Sequence, residues 1–306
     1  MTDGRQLPPV VEVVEYTDPM CPWAWGSEPV FRALRTALEG QVRWRRVYAI
    51  LFDHDDDPPP DPAAETAWYA RYVADVTGHT GAPRARELSR MPASSWPSSL
   101  VAKAAERQGG QVAERVLRRL RETLFVLGEP ADTHESALSA ALGVPGLDPR
   151  RLSADSRSAA VLEEVRADRA EARRPVREVL VAQDGSPHPG TAKETADGGH
   201  RYALPTLVVR APETRRAVPG WRSFEEYATA LRVVRPGLST TVGGLPAHEA
   251  LERHLSLTDP ERRVLADGPW PPPRASRVDT GNGPLWLHPE EAARHPACGR
   301  RTPSAP

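Results

Sequence analysis

One cysteine in this chain stands where a sulfur can react. Cys21 lies in Asp18-Pro19-Met20-Cys21-Pro22-Trp23-Ala24-Trp25. A β-branched run before it (Val10, Val11, Val13, Val14) reads as a short buried strand. After it Val30, Phe31, Leu34 and Leu38 recur at helical spacing. Pro22 falls in the first helical turn, where a missing N–H costs nothing. The spacing thus predicts the Cys21 sulfur at the positive end of a helix, where backbone N–H groups and the macrodipole favour thiolate. The chemistry on offer is thiol exchange, which needs a thiolate, an accessible sulfur and a surface that orients the partner. An isolated cysteine can equally be a small buried hydrophobe. The residues alone leave both readings open.

The elements that must hold this sulfur follow in order. Val42–Leu51 alternates apolar and polar residues, the mark of a half-buried strand, so that strand, helix and strand form a βαβ unit. Asp53–Pro62 is an acidic, Pro-rich break; it lacks the spacing of a Ca²⁺ loop and reads as solvated. Residues 63–173 read almost wholly as helix, in segments 64–76, 94–107, 111–127, 133–142 and 153–173. The run Arg118-Arg119-Leu120-Arg121-Glu122 and the pair Glu163-Glu164 read as solvated helix faces. Gln183–Arg201 reads as a polar surface loop, with His188 and His200 as the residues able to line a site. Tyr202–Arg210 returns to strand character, Glu213-Thr214 sits in a hairpin connection, and Ser223 can cap a helix to about Arg232. Beyond Pro236-Gly237 come two short helices, 247–255 and 259–265, and a hairpin, 277–287, turning at Gly281-Asn282-Gly283. These form a small winged module or pack on the main domain. Residues 289–306, with Cys298, read as disordered.

Composition narrows the classes. The 306 residues are 39% hydrophobic, enough for a real core, and the 33 prolines call for much loop. Forty basic against 41 acidic residues, net −1, give no reason to expect nucleic acid or an anionic membrane as partner. No apolar run approaches the roughly 20 residues that span a bilayer, and Met1–Pro9 has no signal-peptide core. Two cysteines argue against a disulfide framework. A cytoplasmic protein is expected. The nine histidines show no metal-ligand spacing, so no metal is expected. There is no phosphate loop, and Ser27 stands in no Gly-x-Ser-x-Gly setting.

The segment Asp18–Pro29 resembles the active-site segment of DsbA-like thioredoxin-fold proteins, specifically their cytoplasmic FrnE-like branch, where strand, Cys-Pro-x-Cys and helix succeed one another. Here the position of the second cysteine is Ala24. Three further stretches, Ser98–Gly109, Leu117–Phe125 and Leu147–Leu152, resemble in order the helical insertion that interrupts the fold in that family and caps its active site. Leu204-Pro205-Thr206 occupies the place of the family's cis-proline loop, which lies against the cysteine and presents backbone groups to an extended substrate. The resemblance covers roughly Val10–Arg232.

It implies an α/β, thioredoxin-like fold with a large all-helical insertion and a small C-terminal extension. The thioredoxin-like domain takes residues 10–62 and 176–236, the insertion 63–175, a helix/hairpin module 237–290 and a disordered tail 291–306. The implied activity is thiol–disulfide exchange by a monothiol route. Cys21 would be the nucleophile and Pro22 would fix the helix start. Trp23, Ala24 and Trp25 with Leu204, Pro205 and Thr206 would form the substrate surface. No bound cofactor is expected. A low-molecular-weight thiol as co-substrate would resolve a mixed disulfide, unless Cys298 reaches back on its tail or the site keeps only a binding surface. Trp23, Trp25 and Trp44 would supply apolar bulk for an aromatic or peptide ligand, if they are not plain core. The partner is thus a protein or a small thiol. Trp25–Pro29 (Trp-Gly-x-Glu-Pro) and the architecture also resemble the SpxH (YjbH) adaptors, which bind a regulator and hand it to ClpXP without needing a cysteine pair. Kappa-class glutathione transferases and chromene-carboxylate isomerases share the fold and the insertion, and place a Ser or Cys to activate a thiol cofactor.

Overall fold

The computed structural model describes residues 11–53 and 61–299. Val10 and most of the acidic break, residues 54–60, lie outside the described residues. Strand β1 (Glu12–Thr17) leads through α1 (Pro22–Gly26) and α2 (Glu28–Ala37) to β2 (Arg43–Tyr48). The expected single helix is thus two. Pro29 lacks the N–H that would continue the ladder, so it sits in the first turn of a second helix, and Ser27 closes α1 by donating its hydroxyl to the Trp23 carbonyl at 2.8 Å. At Gly26, α1 passes so near Thr80, at the end of the first helix of the insertion, that an added Cβ would lie 2.5 Å from Thr80 Cγ2.

The insertion holds α3 (Pro62–Thr80), α4 (Trp96–Glu106), α5 (Gly110–Phe125), α6 (His134–Ala141), α7 (Pro149–Asp155) and α8 (Ala159–Ala172). The expected helix 153–173 is split in two, because Ser158 caps α8 by accepting the Val161 N–H at 3.2 Å. Helices α4 to α8 bury their own apolar cluster, including Val101, Val116, Leu120, Val161 and Val165. Two short strands, β3 (Lys193–Glu194) and β4 (His200–Arg201), make an antiparallel ribbon inside the expected surface loop. Then β5 (Thr206–Ala211), β6 (Thr214–Pro219) and α9 (Phe224–Val234) complete the thioredoxin-like part.

The main sheet has the order β2-β1-β5-β6, with β1 and β2 parallel and the other pairs antiparallel. Strand β1 is central, and its side chains sort by the period of two. Val13 packs with Leu207, Val209, Phe31 and Tyr227 on the face covered by α2 and α9. Val14, Tyr16 and Val208 face the opposite side, where Cys21 and Trp23 also lie.

The C-terminal part comprises β7 (Leu245–Pro246), α10 (Ala247–His254), β8 (Ser256–Thr258), α11 (Asp259–Leu265), β9 (Ala266–Asp267), β10 (Ser276–Asp279) and β11 (Pro284–Leu287). Two short helices follow, α12 (Pro289–Ala292) and α13 (Pro296–Gly299), where disorder was expected; residues 300–306 lie outside the described residues. Asn282, in the hairpin turn, donates its side-chain amide to the Thr77 and Ala82 carbonyls. What holds the tail is a buried contact, His295 Nε2 at 3.1 Å from Glu122 Oε2.

That contact belongs to the largest departure from the sequence reading. Arg118, Arg119, Arg121 and Glu122 are not solvated; Arg119 and Arg121 are each 1% exposed. Arg118 pairs with Glu122 at 2.6 Å and Glu261 at 2.7 Å. Arg119 pairs with Glu291, and Arg121 pairs with Glu28 while donating to Thr17 Oγ1 at 2.7 Å. Such charges lie inside only because each finds an opposite charge. Likewise Asp53, expected in a solvated break, is buried and accepts from Arg169 at 2.7 Å and Arg173 at 3.0 Å.

Candidate functional site

Cys21 is the residue before α1, and Asp18 sets the turn that delivers it. The buried Asp18 carboxylate accepts the Met20 N–H at 2.8 Å, the Leu51 N–H at 2.8 Å and the Ser95 hydroxyl at 3.0 Å. Cys21 N–H donates to the Asp18 carbonyl at 3.3 Å. The thiol itself donates to the Leu204 carbonyl, with 3.6 Å between sulfur and oxygen. Residues 183 positions apart thus meet, across a Leu204–Pro205 peptide that is cis.

His188 reaches the same carbonyl. Its Nε2 stands 3.1 Å from Leu204 O, and its Nδ1 accepts the Gly190 N–H at 3.0 Å, which assigns the proton to Nε2. Its neighbour Gly220 has a φ of +83°, and an added Cβ there would lie 2.8 Å from His188 Nδ1. Burial, helped by the Lys193 charge, lowers the His188 pKa to about 4, so the ring is neutral. Trp23 meets His188 edge-on at 5.1 Å between centroids and leans on Trp221 at 6.1 Å.

Cys21 is 4% exposed. Burial pushes the Cys21 thiol up to about 11, and the neighbouring Asp18 charge adds to that; the Ala24 and Trp23 backbone N–H groups pull the other way without winning. The helix terminus therefore acts as the sequence predicts, but desolvation is the larger effect. Over the sulfur lies a cavity of about 170 Å³. Cys21, Pro22, Trp23 and Leu204 line it from the thioredoxin-like part. From α3 come Trp68, Tyr69 and Tyr72, and Tyr69 is fixed by donating its hydroxyl to the Met20 carbonyl at 2.9 Å.

Four of the residues expected at the substrate surface fall outside this cavity. Ala24 is fully buried. Trp25 points into the interior; its indole N–H donates to the Pro83 carbonyl at 2.8 Å, Phe125 stacks on it, and the Arg118 guanidinium lies 4.4 Å from its ring. It is core. Thr206 is buried and turns its hydroxyl back to the Ala203 carbonyl at 2.7 Å, and the Pro205 carbonyl is taken by the Gly220 N–H at 2.7 Å. Trp44 packs with Phe31 in the cluster on the other face of the sheet. Cys298 stands in α13 near Glu291 and Arg119 and does not line the cavity.

The sequence reading missed the aromatic wall from α3 and undervalued His188. Trp68, Tyr69 and Tyr72 do carry a signal, since Trp68 and Tyr72 are four apart on a helix and share a face. Among the described residues, Glu122, Glu291 and His295 bring ligand-type atoms within 4.8 Å of one another, but Arg118 and Arg119 already balance those carboxylates. No helix of the described residues is long and apolar enough to cross a membrane.

The profile of the thioredoxin family matches residues 15–174. The ClpXP adapter protein SpxH of Shouchella clausii is 30% identical over 160 residues, covering 52% of this chain and 52% of that protein. SpxH of Halalkalibacterium halodurans is 30% identical over 162 residues, 52% of this chain and 53% of that one. The chain thus spans about half the length of the curated relatives it matches. Among solved structures, a candidate protein disulfide isomerase from Nitrosomonas europaea superposes with a TM-score of 0.55 at 16% identity, covering 74% of this chain and 95% of that one, a likeness of fold.

Proposed function

Since the chain belongs to the DsbA-like thioredoxin-fold family, we propose that it uses the family's cysteine-and-proline surface to bind a segment of a partner protein, as an adaptor, and not to turn over disulfides. One observation carries this reading: the Cys21 thiol is buried and donates to Leu204 O, and that burial pushes its pKa up to about 11. Exchange proceeds through thiolate. At neutral pH almost none is present, and Ala24 offers no second sulfur to release a mixed disulfide. The two SpxH relatives, named as ClpXP adapters, support the same reading, with a cytoplasmic partner handed to a protease as its concrete form.

A second reading keeps the chemistry. The Trp23 and Ala24 N–H groups are directed at the sulfur and the sulfur lines a cavity, so a FrnE-like monothiol exchange with a small thiol has a site to work in. One comparison separates the two. The full chain and its Cys21→Ser variant are immobilised, and partners captured from the producing cell are quantified with and without reductant. The adaptor reading expects the same partners on both and no release by reductant. Partners held only by the wild type and released by reductant would overturn it in favour of exchange.

A further inference from the structure

A second cavity, of about 380 Å³, shares no residue with the one over Cys21. It lies between α2, β2, the start of α5 and the end of α10. Cations dominate its lining, Arg32, Arg35, Arg46, Arg115 and Arg253 against Glu39 and Glu114. Both carboxylates are already engaged, Glu39 by Arg253 at 2.6 Å and Glu114 by Arg35 at 2.9 Å and Arg46 at 3.2 Å. Behind the wall, Glu261 holds Arg32 and Glu15 holds Arg46, each at 3.3 Å. Three groups at the cavity are left over. Arg115 meets no carboxylate among the described residues and donates to the Pro145 carbonyl at 3.2 Å. The His254 ring has a buried Nε2 with no hydrogen-bond partner. Burial first, then the charges of Arg32, Arg253 and Arg35, lower its pKa to about 2, so a neutral ring stands among cations. Helix α5 begins at Gly110 with no side-chain cap and no acidic residue in its first turn, and Gly110 and Gln111 line the cavity, so their N–H groups have no helical partner. Residues 1–10 carry one acid and one base, Asp3 and Arg5, whose charges cancel.

We propose that this cavity binds a phosphate group, free or as a small monoester, through Arg115, His254 and the first N–H groups of α5. The anion gives Arg115 and His254 the partner each lacks, and the guanidinium-rich lining draws it in. Donors that reach one space from the start of α5 and the end of α10 suit a tetrahedral oxyanion, which accepts all round, better than a carboxylate, whose two oxygens accept in one plane. Leu38, Val42 and Trp44 make another part of the wall apolar, and the volume falls within the roughly 300–1,000 Å³ of small-ligand pockets, so an organic substituent fits beside the phosphate. This goes beyond the partner-binding reading and does not depend on it, because Trp44 stands on the face of the sheet away from Cys21.

The test is titration calorimetry on the full chain at fixed ionic strength, with inorganic phosphate, phenyl phosphate and benzoate as probes. Both phosphates should bind saturably, and phenyl phosphate should bind about tenfold more tightly than benzoate, which keeps the ring but offers a planar anion. Tighter binding of phenyl phosphate than of inorganic phosphate assigns the source to an ester, and the reverse order to the free ion; both uphold the site. Gln111 is exposed, and Gln111→Glu sets a carboxylate at the helix start, where it favours the helix and repels the ligand. Binding should weaken about tenfold with no loss of melting temperature, and Arg115→Gln should weaken it by about as much. Arg216→Gln, on the exposed strand at the other edge of the main sheet, should leave it unchanged. Absence of saturable binding at millimolar phosphate overturns the inference, as does benzoate binding as tightly as phenyl phosphate. An affinity unmoved by Gln111→Glu or by a folded Arg115→Gln does the same. So does an equal loss in Arg216→Gln, which would mark a diffuse response to charge.

Discussion

The burial of Cys21 makes a quantitative prediction about its reactivity. A free cysteine thiol titrates near 8.5 and is about 3% thiolate at pH 7. The Cys21 thiol, pushed up to about 11 chiefly by burial, holds on the order of one thiolate in ten thousand. That is about 300-fold fewer. A more basic thiolate is also a better nucleophile, which returns roughly tenfold, so alkylation at pH 7 should run about 30-fold slower than that of a free thiol before access is counted. In a Cys298→Ser background, which isolates Cys21, iodoacetamide incorporation is followed by intact mass across pH. The expected rate climbs steadily through pH 8 and 9 with no plateau and recovers the free-cysteine rate in guanidinium. A plateau beginning below about pH 8 would mean a stabilised thiolate and would refute the account of desolvation outweighing the helix terminus. The sign for stability follows. A pKa raised on folding contributes stability that is complete below about 8.5 and is lost as pH rises through about 11.

Three other outcomes are expected. Arg118→Met leaves Glu122 and Glu261 buried without their shared guanidinium, and should cost about 3–5 kcal/mol by urea unfolding; combining it with Glu261→Gln should cost less than the sum, and a loss under about 1 kcal/mol for Arg118→Met would contradict the pairing. Gly26→Ala sets a Cβ 2.5 Å from Thr80 Cγ2 and should lower stability by about 1–3 kcal/mol in thermal melts, with Thr80→Ala restoring part of it; an unchanged melting temperature would mean the α1–α3 approach is looser than described. Burial pushes the Glu28 and Glu122 carboxyls up, but the guanidiniums around them, Arg35 and Arg121 for the first and Arg118 for the second, outweigh it and hold both far below the usual range. Their contribution is therefore present above about pH 4.3 and lost as pH falls. Melting temperatures should drop steeply on acidification, more shallowly in Glu122→Gln, and equal slopes would argue against the network.

Local signals in the sequence carried the scaffold. The strand–Cys-Pro–helix order, the return to strand after Leu204-Pro205 and the hairpin at Gly281-Asn282-Gly283 each rest on period and turn chemistry that act over a few residues, and these elements are present. What misled was charge. A row of arginines on an amphipathic helix looks solvated when its partners are unknown, and the partners of Arg118 and Arg119 lie 143 and 172 residues further on. The same remoteness hid the ordering of the tail, since His295 is held by Glu122 and not by any propensity of its own. At the site, Cys21, Pro22, Trp23 and Leu204 were legible from motif and resemblance. Trp25 was not separable from Trp23, because neighbouring residues on a helix point to different sides and only the packing says which side is interior. His188 was hidden in a loop whose burial depends on Gly220, a position with a φ of +83°, approaching from another strand end.

The arginine row of α5 also decides what can be removed from this molecule. A shortened chain ending near Pro236 would lack Glu261, Glu291 and His295, and would leave Arg118 with Glu122 alone and Arg119 without its carboxylate, so that repulsion along the arginine row opposes closure of the helices. The last quarter of the chain, roughly, is in that sense a counter-charge to an inserted helix. Anyone trimming the protein at Pro236 would have to neutralise that helix first.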